Sequence, residues 1–167
     1  MAIKPGDKLP DGTLTEMIDQ ETPGCTIGPN NWNVADLTKG KRIVIFGLPG
    51  AFTPTCSAKH VPGYVANHDQ LKQKKVDEVW CVSVNDAFVM GAWGKDQKAG
   101  GKVRMMADGS AIFTKALGLE MDLTGRGMGV RSQRYSMLVD DGVVKKLNVE
   151  QPGKFEVSDA DSMLKQV

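Results

Sequence analysis

The sequence predicts a mixed α/β fold, in which a central mixed sheet is flanked by helices. Apolar runs typical of buried strands, such as residues 42–48, alternate with segments of helical periodicity, such as residues 56–74. Two later apolar runs flank an Asp-Gly pair at 141–142, which indicates a β-hairpin. At 167 residues the chain suits one good core and is short for two. We therefore expect a single domain over residues 1–167.

The first half of the chain is predicted to supply the edge of the sheet and two of its central strands. Residues up to Thr38 are rich in Gly, Pro, Asn and Thr, which favours short strands or a hairpin at the sheet edge. Arg42 to Leu48 is predicted as a central strand, and Val79 to Val84 as a second buried strand. Between them, Cys56 to about Lys74 is predicted to form the first long helix.

The next segment is predicted to contain an amphipathic helix and a short strand. Asn85 is predicted to cap this helix, which ends near Gly100-Gly101. A short apolar strand at Val103 to Met106 follows it. The residues expected on the buried side of the helix are Phe88, Val89, Ala92 and Trp93.

The C-terminal third is predicted to contain a helix, a hairpin and a final helix. The helix runs from Ser110 to about Leu117. Arg134 to Val139 and Val143 to Leu147 are predicted to pair across the Asp-Gly turn. Ser158, followed three residues later by Asp161, is predicted to cap the final helix in the manner of a capping box.

Composition excludes several classes of protein. Lys and Arg total 21 against 20 Asp and Glu, so nothing suggests a nucleic acid or an anionic membrane as a partner. No apolar stretch approaches the roughly 18 residues of a membrane span, and the N-terminus lacks the apolar core of a signal peptide. The three cysteines, at 25, 56 and 81, form neither a disulfide framework nor a metal-binding pattern. We expect a reducing compartment, most simply the cytoplasm, with an organelle as the alternative if a presequence has been removed.

One turn carries most of the functional information in the chain. Between the strand at 42–48 and the following helix stands Pro-Gly-Ala-Phe-Thr-Pro-Thr-Cys, residues 49–56. Cys56 is thus expected in the first helical turn, where free N–H groups and the helix dipole favour the ionised thiolate. Thr53 stands three positions earlier, so its hydroxyl can reach the sulfur or the atom that the sulfur attacks. The alternative is a buried structural cysteine, which the surrounding threonine, prolines and glycine disfavour.

These residues resemble a known family. Pro49, Thr53 and Cys56 match Pro-x-x-x-Thr-x-x-Cys, the active-site signature of peroxiredoxins, and the full string is similar to the type II, or atypical, branch. The likeness continues at Ser83–Val89 and at Arg134–Met137, and it spans essentially the whole chain. The resemblance implies a thioredoxin-like fold and a thiol peroxidase acting on hydrogen peroxide and alkyl hydroperoxides, without a metal or another cofactor.

In the chemistry that the resemblance implies, a thiolate attacks a hydroperoxide in line with the O–O bond, becomes a sulfenic acid and releases an alkoxide or hydroxide. Cys56 would be the nucleophile, and Thr53 would align the peroxide by donating to it while accepting elsewhere. Backbone N–H groups near Gly50 and Cys56 would complete an anion-binding pocket. Pro49 and Pro54 fix the backbone of the turn and remove competing donors.

A permanent cation is also expected beside the sulfur, and two arginines compete for this role. Arginine suits it because its planar fork can contact both the thiolate and the peroxide oxygens. The family's arginine precedes an aromatic-Ser-Met stretch, which the resemblance maps onto Arg134 rather than Arg131.

Two other enzyme classes and one function without catalysis are alternatives for a chain with this cysteine. His60 follows Cys56 by four residues, but no cysteine-hydrolase signature surrounds the pair, so His60 is expected to be partly exposed or, alternatively, to support the pocket. A dithiol oxidoreductase would need a cysteine at position 53, which is Thr53. The rival that is not an enzyme is a thioredoxin-fold redox sensor or interaction module that uses oxidation of Cys56 as a signal.

The route by which the sulfenic acid is recycled stays open at this point. Residues 149–167 contain no cysteine, whereas some relatives carry a resolving cysteine late in the chain. Cys81 is a possible resolving residue 25 positions after Cys56, although its surroundings indicate a buried strand; Cys25 is less favoured. We expect an external thiol instead, either glutathione followed by glutaredoxin or thioredoxin.

Resemblance to type II members also implies a homodimer that pairs through loops at the edge of the active site. The sequence itself offers only apolar loop residues such as Phe52 and Phe88, which could equally belong to the core.

Overall fold

The computed structural model describes all residues from Met1 to Val167. The nine strands are β1 Thr13–Ile18, β2 Gly28–Asn33, β3 Arg42–Leu48, β4 Glu78–Ser83, β5 Arg104–Ala107, β6 Glu120–Leu123, β7 Gly129–Ser132, β8 Tyr135–Asp140 and β9 Val143–Val149. The six α-helices are α1 Val34–Thr38, α2 Val61–Ala66, α3 His68–Gln73, α4 Ala87–Asp96, α5 Ile112–Leu117 and α6 Ala160–Leu164. A π-helical turn at Cys56–His60 precedes α2, and a 3-10 turn occupies Thr124–Arg126.

Seven strands form one mixed sheet in the order β2-β1-β5-β4-β3-β8-β9, and β6 and β7 form a separate hairpin. Strands β3, β4 and β5 are parallel, while β8 runs antiparallel to β3. The predicted mixed α/β fold is therefore confirmed. So is the N-terminal hairpin, because β1 and β2 pair antiparallel at one edge of the sheet. No helix combines the length and the apolar character that a membrane crossing requires.

Strand β3 is central because both of its faces are covered. Val44 and Phe46 pack into a core under α2 and α4, whereas Ile43 and Ile45 pack into a second core on the other face of the sheet. Two-sided burial requires a continuous apolar run rather than an alternating one, and this is the pattern that β3 shows. The strand has the predicted bounds, Arg42–Leu48.

The long helix predicted from Cys56 to about Lys74 is broken into three pieces. It begins with the π-turn, continues as α2, and is interrupted at Asn67 before α3. The Asn67 side-chain amide donates to the Gly63 carbonyl at 2.7 Å, which gives that carbonyl a partner outside the backbone ladder. A helical periodicity alone does not reveal such a break.

Two predicted helix caps are wrong by one residue. Asp86 caps α4, accepting from the Val89 N–H, and Asp159 caps α6, accepting from the Ser162 N–H. Asn85, predicted for the first cap, has its side chain engaged elsewhere, in a loop described below. Ser158, predicted for the second, donates its N–H and hydroxyl to a buried carboxylate.

The buried face of α4 also differs from the predicted one. Ala87, Met90, Trp93 and Gly94 are buried. Phe88 is 67% exposed and Ala92 is exposed, so both were wrongly predicted to be buried, whereas Trp93 is buried as predicted. The helix also ends at Asp96, before the predicted Gly100-Gly101.

Of two other local predictions, the start of α5 is wrong and the C-terminal hairpin is confirmed. Helix α5 begins at Ile112 rather than Ser110 because Ala111 adopts a left-handed conformation with φ 60°. The hairpin of β8 and β9 is confirmed. Asp141 and Gly142 both have positive φ, at 48° and 78°, as a type I′ turn requires.

Candidate active site

The sheet topology brings three chain segments together at one end of the central strands. Strand β3 ends at Leu48, and its neighbour β4 ends at Ser83. Strand β8 begins at this same end, because it runs antiparallel to β3 and Tyr135 lies opposite Gly47. The loop that leads to Cys56 and the residue before β8, Arg134, are thereby placed side by side.

The loop before Cys56 is fastened to the end of β4 by Asn85. The Asn85 Oδ1 atom accepts from the Ala51 N–H at 2.9 Å and from the Ser83 hydroxyl at 2.6 Å. Phe52, next in the loop, adopts a positive φ of 61°, which a bulky residue does only when its surroundings impose it. Asn85 thus holds the loop that precedes Cys56, a role that the sequence analysis missed because it assigned Asn85 to a helix cap.

Cys56 lies in the first helical turn, as predicted, and its side chain is fully buried. The Val61 N–H donates to the Cys56 carbonyl, an i→i+5 bond that closes the π-turn. The Trp93 indole N–H of α4 donates to the Ser57 hydroxyl at 3.0 Å and so ties this turn to its neighbour. Single π-turns occur frequently at functional sites.

Arg134 is the arginine whose guanidinium reaches the sulfur. Its Nη2 donates to the Cys56 Sγ at 3.2 Å, and its Nη1 donates to the His60 Nδ1 at 2.9 Å. Arg134 forms no ion pair with a carboxylate. Its positive charge is therefore left for the sulfur and for whatever the sulfur meets.

His60 was expected to be partly exposed, and this is wrong. The ring is fully buried, with its Nε2 3.1 Å from the Ser158 carbonyl oxygen. A carbonyl can only accept, so Nε2 carries the proton and Nδ1 is free to accept from Arg134. Burial, reinforced by the Arg134 charge, lowers the pKa of His60 to about 3, so the ring is neutral near pH 7.

Thr53, Gly50 and Pro49 belong to the loop that leads from β3 to Cys56. The Thr53 hydroxyl donates to the Gly50 carbonyl at 2.7 Å, so in this arrangement it is an acceptor toward an incoming molecule rather than the predicted donor. Arg131 donates to the Pro49 carbonyl at 3.3 Å, on the other side of the turn. A Cβ atom at Gly50 would stand 2.7 Å from the Arg131 Nη1, so the arginine side chain would have to move to admit a larger residue.

The other two cysteines are both free, and no disulfide is present. Cys81 is fully buried in the middle of β4. Burial, and secondarily the nearby Cys56, hold the pKa of the Cys81 thiol well above its ordinary value, which disfavours its nucleophilic form. Cys25 lies in the turn that precedes β2 and pairs through its backbone with Thr22. No group of three or more His, Cys, Asp or Glu side chains converges in a way that could hold a metal ion.

Comparison with known proteins agrees with this geometry. Residues 4–164 match the Redoxin family. Peroxiredoxin-2B of Arabidopsis thaliana is 49% identical over 163 residues, which cover 98% of this chain and 97% of the relative.

Solved structures give the same result. Reduced Prx3 from Vibrio vulnificus, determined in complex with H2O2, is 52% identical with a TM-score of 0.90, covering 98% of each chain. A structure from Burkholderia cenocepacia, provisionally described as a thioredoxin reductase, is 65% identical with a TM-score of 0.99, covering 100% of this chain and 99% of that one. The predicted thioredoxin-like fold is confirmed by these neighbours. Through a family match over nearly its whole length and relatives at this level of identity, the chain belongs to the Redoxin family, as one of its type II peroxiredoxins.

Proposed function

We propose that this thiol peroxidase reduces hydrogen peroxide and small alkyl hydroperoxides at Cys56 and that an external thiol restores the enzyme. The observation that carries the proposal is the 3.2 Å contact between the Arg134 Nη2 and the Cys56 Sγ. A guanidinium N–H at this distance is placed to stabilise negative charge on the sulfur or on a peroxide oxygen beside it. The hydrogen peroxide bound by the related Vibrio protein supports the substrate class.

The proposed reaction uses each group of the site once. The Cys56 thiolate attacks the nearer peroxide oxygen, an S–O bond forms, and the O–O bond breaks. The leaving hydroxide or alkoxide takes from solvent the proton that the thiol released on ionising and departs as water or an alcohol, and the sulfur remains as a sulfenic acid. Arg134 stabilises the negative charge as it moves from sulfur to oxygen, and Thr53 accepts from the peroxide O–H, orienting it for attack. Pro49 and Gly50 shape the pocket.

The neutral state of His60 is part of the proposal. A protonated ring at this position would repel the guanidinium and would lose the acceptor that holds Arg134. With His60 neutral, Arg134 is the cation that acts on the sulfur. The depressed pKa of His60 therefore keeps the site functional at pH values below the ordinary value of 6.5.

The external thiol is supported by the position of Cys81. Its full burial and raised pKa make it a poor partner for the sulfenic acid, and no cysteine follows it in the sequence. A small thiol such as glutathione can attack the sulfenic acid, release water and leave a mixed disulfide, which a second thiol then reduces. Glutathione followed by glutaredoxin is the proposed route, with thioredoxin as the alternative. A reducing compartment, most simply the cytoplasm, fits this chemistry.

A homodimer is the proposed assembly, and exposed apolar side chains beside the site support it. Phe88 of α4 is 67% exposed and Phe52 is 53% exposed. The Phe52 ring lies 6.3 Å from the ring of Trp93, which belongs to the same helix as Phe88. Large apolar side chains grouped on a surface favour a protein contact.

The first prediction concerns the catalytic groups. Cys56→Ser is expected to abolish turnover, because serine is a far weaker nucleophile. Thr53→Val and Arg134→Met are expected to lower kcat/KM for hydrogen peroxide by about 100- to 1000-fold, the usual effect of removing one transition-state contact. Peroxide consumption is measured with excess reductant, and thermal melts check folding. Arg126→Met, at an exposed arginine, is the matched control.

Two results would contradict this prediction. Near-normal turnover by Cys56→Ser would remove Cys56 from the reaction. Consumption that stops after one equivalent of peroxide, with reductant in excess, would favour the redox sensor over the enzyme.

The second prediction concerns recycling. After one equivalent of peroxide and addition of glutathione, mass spectrometry is expected to show a glutathione adduct on Cys56 in both wild type and Cys81→Ser. Turnover of Cys81→Ser is expected to be unimpaired. A Cys56–Cys81 disulfide in the wild type, together with loss of activity in Cys81→Ser, would make Cys81 the resolving residue instead.

The third prediction follows from His60. Because its folded pKa, about 3, lies below the ordinary 6.5, its contribution to stability is complete above pH 6.5 and is lost as the pH falls toward 3. We expect the free energy of unfolding in urea to fall by about 1–2 kcal/mol between pH 6.5 and pH 5. His60→Asn should lose this dependence, with His68→Asn as the matched control. An unchanged slope in His60→Asn would refute the assignment.

The fourth prediction concerns assembly. Light scattering at micromolar concentration is expected to give twice the monomer mass for the wild type. Phe88→Asp should weaken the dimer, because a carboxylate would be desolvated in the contact. Ile27→Asp, at an equally exposed residue of the N-terminal segment, should not. A monomer mass for the wild type would remove the proposal.

A further inference from the structure

The segment 151–158, here called the strap, has no helix or strand and yet forms the outer wall of the site. The Phe155 ring lies 5.8 Å from the Arg134 Cζ and 5.0 Å from the His60 ring. The Ser158 carbonyl accepts from the His60 Nε2 and, at 2.8 Å, from the Tyr64 hydroxyl. The strap thus contacts both His60 and Arg134, and Arg134 donates to the Cys56 sulfur.

A single buried carboxylate holds the end of the strap in place. Glu150 is 6% exposed, and its oxygens accept from the N–H groups of Glu156, Val157 and Ser158 at 2.8–2.9 Å. The Ser158 hydroxyl also donates to it, at 2.7 Å. Within the strap, the one backbone hydrogen bond joins Lys154 to Gln151. Without Glu150, three N–H groups would lose their acceptor at once.

Hydrogen bonds, and no cation, compensate the charge of Glu150. It takes part in no ion pair. Burial by itself would raise the pKa of the Glu150 carboxyl, but the strap N–H groups and the Ser158 hydroxyl outweigh it and lower the pKa below its usual range. The anionic carboxylate and the closed strap therefore stabilise each other.

The same residue is joined to Arg134 through the backbone. Glu150 directly follows β9, and its N–H donates to the Arg134 carbonyl at 2.9 Å. The Arg134 side chain, in turn, is oriented by His60, whose acceptor nitrogen exists because Ser158 receives the proton of the other ring nitrogen. A continuous series of contacts leads from Glu150 through Ser158, His60 and Arg134 to the sulfur.

We propose that Glu150 is a positioning residue of this site: by closing the strap it fixes the Ser158 carbonyl, which holds His60 as the acceptor that aims Arg134 at Cys56. This inference rests on the proposed function for its effect on turnover. Its effect on the reactivity of the sulfur can be measured without peroxide.

The test compares Glu150→Ala with wild type in two assays. The first is the rate of Cys56 alkylation by iodoacetamide against pH, followed by mass spectrometry so that Cys25 and Cys81 are separated. Alkylation at neutral pH is expected to be slower than in wild type, because a misaligned guanidinium no longer donates to the sulfur. The second assay is kcat/KM for hydrogen peroxide, expected to fall roughly 10- to 100-fold, the effect of a small misplacement of a catalytic group.

Two further variants separate positioning from general destabilisation. Glu150→Gln keeps an oxygen for the strap N–H groups and is expected to be intermediate in both assays. Glu78 is also a carboxylate with several partners, namely Lys41, Arg104 and Trp80. It lies at the start of β4, whereas the site lies at the other end of that strand. Glu78→Ala should lower the melting temperature and leave the alkylation profile as in wild type.

A double variant tests the route. In a His60→Asn background, adding Glu150→Ala should change the alkylation rate at neutral pH little, because the intermediary has already been removed. Additive effects, or a wild-type alkylation profile in folded Glu150→Ala, would overturn the proposal. If Glu150→Ala does not fold, Glu150→Gln decides: a wild-type profile there overturns it. Absence of peroxide turnover in the wild type would remove the proposed function, while the alkylation assays would still decide the role of Glu150.

Discussion

The contact between the Arg134 guanidinium and the Cys56 sulfur is the interaction on which the rest of the site depends. A buried sulfur is costly to ionise, because burial penalises charge, so the thiolate needs a cation that is itself buried at low cost. Arginine meets this condition, since its charge is permanent and its five donors can be distributed among several acceptors. Here one N–H group is directed at the sulfur and another at a neutral histidine.

The surroundings keep that charge available by giving the guanidinium neutral partners. A carboxylate beside Arg134 would form a stronger pair and would draw the positive charge away from the sulfur. His60 orients the group without neutralising it, and the Phe155 ring covers it with a weak cation–π contact. The buried carboxylate of Glu150 binds backbone N–H groups of the strap instead.

Local patterns predicted the elements whose causes are local. The continuous apolar run of β3, the Asp-Gly turn of the β8–β9 hairpin and the signature around Cys56 can each be recognised within about eight residues. Predictions failed where a distant partner decides between adjacent residues. Asn85 and Ser158 were equally good caps as their neighbours, but a loop amide and a buried carboxylate engage them. The burial of His60 depends on a carbonyl 98 residues later, and that of Phe88 on one residue of helix register, neither of which periodicity can supply.

The separation of Cys56 from Arg134 has a consequence for the biogenesis of the protein. The two residues are 78 positions apart, and the arginine reaches the sulfur only when β8 has paired with β3. During synthesis the cysteine emerges from the ribosome well before its arginine, and until that pairing forms the sulfur lacks its Arg134 donor. The contact that defines the site therefore forms only together with the long-range pairing of the sheet.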